Sequence, residues 1–132
     1  MTKVLIISDG ATVSDNLRMT LEASGFEVSR APSSTAGINA AREQIPDAII
    51  LDSVMPVLNG VEICKAIRQF SQAPILMLSV IDQPSIIAKV LDAGADDYLV
   101  KPVASNVLQA YLNKFTRRNQ AAPNRRLGGF PL

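Results

Sequence analysis

Asp9, Asp52, Ser79 and Lys101 share one feature of placement: each stands at or just past the end of a short apolar run. Val4-Leu5-Ile6-Ile7 leads to Ser8-Asp9, Ala48-Ile49-Ile50-Leu51 to Asp52, Ile75-Leu76-Met77-Leu78 to Ser79, and Tyr98-Leu99-Val100 to Lys101. Two carboxylates held close repel, and a hard divalent cation relieves the repulsion; Mg2+ typically takes one or two carboxylates, waters and phosphate oxygens. A lysine and a hydroxyl aimed at the same point suit a phosphoryl group, one by neutralising charge and the other by donating a hydrogen bond. A carboxylate can itself be the nucleophile that forms an acyl phosphate. The four residues together therefore spell Mg2+-assisted phosphoryl transfer onto Asp9 or Asp52. Taken singly, each has a plainer use, as a turn residue, a cap or a surface charge. Only their joint placement points to phosphoryl transfer.

That placement requires the runs to be neighbouring strands. A run of four residues, apolar at every position, suits a strand buried on both faces. Between the runs lie helical patterns. Val13, Leu17 and Leu21 form a stripe capped by Thr12 or Ser14 and stopped by Gly25. Phe26-Glu27-Val28-Ser29 alternates like a strand with a more exposed face. Pro32 and Ser33-Ser34 open a helix over about 34–44, ending before Pro46. Val61, Ile63, Cys64 and Ile67 make a third stripe; Asp82 and Pro84 start a fourth helix, closed by Ala93-Gly94. Val107, Leu108, Tyr111, Leu112 and Phe115 make the fifth. Five strand–helix units in succession predict a parallel sheet with right-handed crossovers and helices on both faces. In such a sheet ligands bind at the carboxyl ends of the strands, where all four residues stand.

Composition narrows the classes. The chain has 132 residues, 48% apolar, which suits one folded domain. Its 13 basic and 12 acidic residues leave a net charge of +1, unlike a basic nucleic-acid domain, and no membrane span or signal peptide is expected, so a cytoplasmic location is. Histidine is absent, which removes histidine bases, ligands and phosphoacceptors from this chain, and the one cysteine, Cys64, can make neither an internal disulfide nor a zinc site alone. The charge is uneven: residues 117–132 hold four basic side chains and no acid. The expected division is a domain over 1–116 and a flexible basic tail or truncated linker over 117–132, solvated rather than bound to nucleic acid.

At these residues the sequence resembles the receiver domain of two-component response regulators. The resemblance covers about residues 2–116. It rests on Lys3-Val4-Leu5-Ile6-Ile7-Ser8-Asp9, on Ile50-Leu51-Asp52-Ser53-Val54-Met55-Pro56-Val57-Leu58-Asn59-Gly60, on Pro74-Ile75-Leu76-Met77-Leu78-Ser79, and on Gly94-Ala95-Asp96-Asp97-Tyr98-Leu99-Val100-Lys101-Pro102. It implies a flavodoxin-like, doubly wound α/β fold: five parallel strands in the order 2-1-3-4-5, with five helices. It implies that Asp52 accepts a phosphoryl group from a sensor histidine kinase. Asp9, Asp52 and the backbone carbonyl of Val54 would ligate Mg2+. Lys101 would pair with the phosphoryl oxygens, and its bond to Pro102 would be cis. Ser79 would be the switch hydroxyl and Tyr98 the switch aromatic, turning inward as Ser79 moves. The output face would be helix 4, strand 5 and helix 5, available for a homodimer or for a C-terminal output domain absent from this chain. The role is a phosphoacceptor signalling domain, with at most self-phosphorylation and self-dephosphorylation.

The sequence also departs from the family pattern. Ser8 stands where the first of two acids is usual, and Gly10 follows Asp9, so weaker Mg2+ binding is expected. Val80 follows the switch hydroxyl where Ala or Gly is usual, and its methyls could slow the loss of phosphate. Asn59 is expected to cap the third helix, Cys64 to be core, and Asp96 and Asp97 to cap or face solvent. Three other readings compete. One is a pseudo-receiver that docks partners without phosphorylation. Another is a flavin-binding domain of the same topology, disfavoured by six aromatics and no Trp. The third is an aspartate-nucleophile phosphatase, disfavoured by Val54 where a second Asp is needed.

Overall fold

The computed structural model describes the backbone of residues 2–52 and 57–128, and their side chains outside 11–14, 57–58 and 118–128. The elements run β1 (Lys3–Ile7), α1 (Ala11–Ala23), β2 (Glu27–Ala31), α2 (Ser34–Gln44), β3 (Ala48–Asp52), α3 (Val57–Arg68), β4 (Ile75–Ser79), α4 (Pro84–Asp92), β5 (Asp97–Val100) and α5 (Ser105–Gly128). All strand pairs are parallel, in the order β2-β1-β3-β4-β5.

Strand side chains alternate between faces, so each continuous apolar run feeds two cores at once. Leu5, Ile7, Ile49, Leu51, Ile75 and Met77 pack with Ala41 of α2, Ile63, Cys64 and Ile67 of α3, and Val90 of α4. Val4, Ile6, Ile50, Leu76 and Leu78 pack with Leu21 of α1 and Leu108, Leu112 and Phe115 of α5. The result is three layers, with α2, α3 and α4 on one face and α1 and α5 on the other.

Local signals set the boundaries. Ser33 caps α2, its hydroxyl accepting the Ala36 N–H at 3.1 Å. Neither Thr12 nor Ser14 caps α1: the helix begins at Ala11 behind Gly10, with no side-chain cap. Ser8 Oγ accepts the Gly10 N–H at 3.1 Å, and that tight turn brings the chain into the helix two residues sooner. Asn59 is no cap either, because α3 already starts at Val57. At α4 the N-cap is Gln83, not Asp82; its carbonyl accepts the N–H groups of Ile86 and Ile87, and Pro84 takes the first turn. β2 reaches Ala31, beyond the expected Ser29, because two polar side chains find partners there: Ser29 Oγ donates to Gln44 Oε1 at 2.7 Å and Arg30 Nη2 to the Ser8 carbonyl at 3.2 Å. The α5 backbone stays helical to Gly128, and its buried side chains include Leu108, Leu112, Phe115 and Thr116.

Asp96 does more than face solvent. Its Oδ2 accepts the Ile75 N–H at 2.8 Å and pairs with Arg68 Nη2 at 2.9 Å, while Arg68 also donates to the carbonyls of Gly94, Ser71 and Ala73. This clamp ties the end of α3 to the start of β4 and so fixes the strand that carries Ser79. Asp97 Oδ1 accepts the next N–H, that of Tyr98.

Candidate functional site

Sheet register brings the expected residues to one edge. Leu51 lies opposite Ile7, Asp52 opposite Leu78, and Ser79 opposite Val100. Asp9, Asp52, Ser79 and Lys101 therefore all fall within about two residues of the same level at the carboxyl ends of β1, β3, β4 and β5. Their environments differ. Asp52 is 1% exposed and closes β3. It lies on the α1/α5 side, since alternation continues the series Ala48, Ile50, Asp52. Asp9 is exposed on the loop after β1, and Ser79 is buried.

The direct contact in the site joins the ammonium of Lys101 to Oδ1 of Asp52. Asp52 Oδ1 makes no hydrogen bond of good geometry among the described residues, so the ion pair is its compensation for burial. The Lys101 side chain is 21% exposed, against 1% for the carboxylate it meets. Its peptide bond to Pro102 is cis, and its N–H donates to the Ser79 carbonyl at 2.8 Å.

Ser79 and Tyr98 are linked through a residue that the sequence did not single out. Ser79 Oγ accepts the Ile81 N–H at 3.1 Å, and the Tyr98 hydroxyl donates to the Ile81 carbonyl at 2.8 Å. Tyr98 is already inward and buried. Movement of either side chain must move or release Ile81. Arg30 was missed as well: it reaches the carbonyl of Ser8 beside Asp9, and its Nε is buried with no partner among the described residues. Both act through main-chain groups, which residue types do not record. Val54 lies outside the described residues.

A cavity of about 580 Å³ opens beside the pair, walled by Leu17, Leu78, Val80, Pro102, Val103 and Leu108, with Asp52 and Lys101 at its polar end. Its described lining includes no aromatic side chain of the kind a flavin ring would stack on. Val80 is 67% exposed at the rim. Cys64 is fully buried in the other core, and burial pushes its thiol up to about 11, with Arg68 lowering and Asp96 raising it.

The donors at this edge are a buried carboxylate, an exposed carboxylate and hydroxyls. No group of three or more His, Cys, Asp or Glu suited to a metal occurs among the described residues. That set excludes a closed zinc-type cage there. It fits Mg2+, which needs only one or two carboxylates and keeps its waters.

The chain's residues 4–113 match the family model of the response regulator receiver domain, and the chain belongs to that family. It is 37% identical over 120 residues to the transcriptional regulatory protein AfsQ1 of Streptomyces coelicolor, covering 91% of this chain and 53% of that protein. Transcriptional regulatory protein KdpE of Mycobacterium tuberculosis is 37% identical over 122 residues, covering 92% and 54%. The chain thus spans about half the length of these curated relatives. Among solved structures, a receiver domain protein from Clostridium thermocellum superposes with a TM-score of 0.85 at 30% identity, covering 92% of this chain and 99% of that one. The Vibrio cholerae chemotaxis protein CheY4 gives 0.79 at 34% identity, covering 87% and 98%. The fold is the flavodoxin-like receiver fold, and the domain is a two-component signalling domain. None of its helices, among the described residues, is long and apolar enough to cross a membrane.

Proposed function

We propose that this domain is switched by phosphorylation of Asp52. The observation that carries the reading is a buried carboxylate at the end of the central strand that is paired with a lysine. An Asp52 oxygen forms a bond to phosphorus as the donor's bond to phosphorus breaks, and the leaving group takes the electron pair. Lys101 turns from the carboxylate to the new phosphoryl oxygens, and the Ser79 hydroxyl donates to one of them. Asp9 and Asp52, with the carbonyl of Val54, would hold Mg2+, which when bound supplies positive charge to the phosphoryl oxygens. Pulling Ser79 toward the phosphoryl group disturbs its bond to Ile81, and Tyr98 feels this through the Ile81 carbonyl. The local charge is thereby coupled to α4 and β5, a two-state element biased by a modification.

The donor in this reading is a sensor histidine kinase in the cytoplasm. The domain turns over no substrate of its own beyond gaining and losing the phosphoryl group. Val80 at the rim shields that group from water. The exposed Leu91, Val100 and Val107, with half-buried Ile86 and Ile87, make the α4–β5–α5 face the surface for a homodimer or an output domain joined through residues 117–132.

A second reading, a pseudo-receiver, draws on Ser8: its hydroxyl is occupied by the Gly10 N–H and brings no charge to the metal side. Beryllofluoride with Mg2+ separates the two. The phosphoacceptor reading expects amide NMR shifts at residues 79–81 and 98, lost in Asp52→Asn; an unchanged spectrum selects the pseudo-receiver.

A further inference from the structure

Arg30 has no part in the phosphoacceptor chemistry above, yet its side chain is built into the same edge. Register pairs Arg30 with Ile6 and Ile6 with Ile50, so Arg30 projects to the α1/α5 side of the sheet, the side that Asp52 also takes. From there Nη2 donates to the Ser8 carbonyl at 3.2 Å, and Nε is buried with no hydrogen-bond partner among the described residues. That carbonyl carbon is bonded to the nitrogen of Asp9, and standard bond lengths put the Asp9 Cα within about 3 Å of its oxygen. A guanidinium stays charged below about pH 12. Across the strand order β2-β1-β3-β4-β5 the charges therefore run Arg30, Asp9, Asp52, Lys101: two carboxylates between two cations, whose formal charges cancel.

We propose that Arg30 is a fixed counter-ion of this acidic edge and opposes Mg2+ there, so that the domain needs more Mg2+ to fill its site than its carboxylates alone would require. The proposal rests on the reading in which Asp9 and Asp52 hold Mg2+, and adds the residue that sets how tightly. Arg30 acts in two opposing ways. Its bond to the Ser8 carbonyl steadies the turn that carries Asp9, which favours the metal; its charge repels a divalent cation. The turn has other holds: the Ser8 N–H donates to the Ala31 carbonyl at 3.0 Å, and Ser8 Oγ accepts the Gly10 N–H at 3.1 Å. Loss of one hold of three leaves the turn in place, so the charge decides the sign. A unit charge roughly 9 Å from a divalent one in water weakens its binding about fivefold. A Debye length of about 10 Å at 0.1 M salt screens part of this, and more salt screens nearly all of it.

Mg2+ titrations of the full chain, followed by amide NMR, test this in wild type and in Arg30→Gln, Arg30→Met and Arg30→Lys. Gln keeps a side-chain N–H donor without the charge, Met keeps neither, and Lys keeps the charge. The expected result is tighter binding in both neutral variants, by about three- to fivefold at low ionic strength, with Arg30→Lys within about twofold of wild type. In about 0.5 M salt the gap should close to less than about twofold. Damage to the turn would weaken the site, so tighter binding is a signature that a merely structural role does not give, and either neutral variant alone decides. Affinity in the neutral variants equal to or weaker than wild type, or Arg30→Lys as tight as they are, overturns the counter-ion while Mg2+ binding itself still upholds the metal site. No response to Mg2+ in any of the four chains overturns both.

Discussion

Removing the charge of Lys101 and removing that of Asp52 should have opposite kinds of consequence. Asp52 is 1% exposed and its Oδ1 depends on the Lys101 ammonium, whereas the Lys101 side chain, 21% exposed, can swing its head into water. Lys101→Met keeps the aliphatic stem and strands a buried carboxylate. Breaking a fully buried pair from one side costs about 3–5 kcal/mol, and partial access of water at the lysine lowers this to about 2–4 kcal/mol. For a domain of this size the melting temperature should fall on the order of 10 °C. Asp52→Asn leaves a lysine that finds water, so its cost should stay below about 1 kcal/mol. The double variant Lys101→Met/Asp52→Asn should then be more stable than Lys101→Met alone, because it removes the stranded charge. Urea unfolding followed by far-UV circular dichroism suits a chain without Trp, and EDTA keeps divalent ions from masking the effect. Equal losses in both single variants, or a double variant weaker than Lys101→Met, would refute the assignment of Lys101 as the compensation for Asp52.

Four further outcomes follow from other contacts. Tyr98→Phe removes the bond to the Ile81 carbonyl and should cost about 1 kcal/mol, with hydrogen exchange rising at residues 80–83; protection equal to wild type there would deny the link. Cys64, held up to about 11 by burial against an ordinary 9.0, keeps its proton in the folded state while the unfolded thiol loses its own. Stability should therefore fall as pH rises from about 9 to 11, by roughly 2–3 kcal/mol more than in Cys64→Ala; parallel pH curves for the two would exclude it. Ser8→Asp should tighten Mg2+ binding by about tenfold in calorimetry, through a third carboxylate beside Asp9 and Asp52, and an unchanged affinity would show that Ser8 does not limit binding. Ile45 is 79% exposed at φ 50°, a left-handed position costly for a β-branched residue, so Ile45→Gly should raise stability by about 1 kcal/mol in the same urea assay; a loss would mean that its side chain is used.

The sequence made the central strands legible because β1, β3 and β4 are buried on both faces and leave unbroken apolar runs. α2 was legible through Ser33 and Pro46. β2 runs two residues past the expected Ser29, where the apolar alternation stops at Arg30 but the Arg30 side chain finds the Ser8 carbonyl across the fold. The end of α5 was not marked, since the apolar stripe stops at Phe115 while the backbone stays helical. At the site, the residues at strand ends could be read because their side-chain chemistry is itself the signal. The Ser79–Ile81–Tyr98 link could not, because Ile81 contributes its peptide groups and its side chain says nothing of them. Asp96 is exposed, as expected, but its residue type does not record that it also holds the start of β4 through Ile75 and Arg68.

Intact-mass spectrometry after incubation with acetyl phosphate, followed by fragmentation to locate the group, is the decisive test of phosphorylation at Asp52. The expected result is a gain of one phosphoryl group, dependent on Mg2+, located on Asp52 and absent from Asp52→Asn. A phosphoryl group carried by another residue, or no gain at all in the folded wild-type chain, would contradict it.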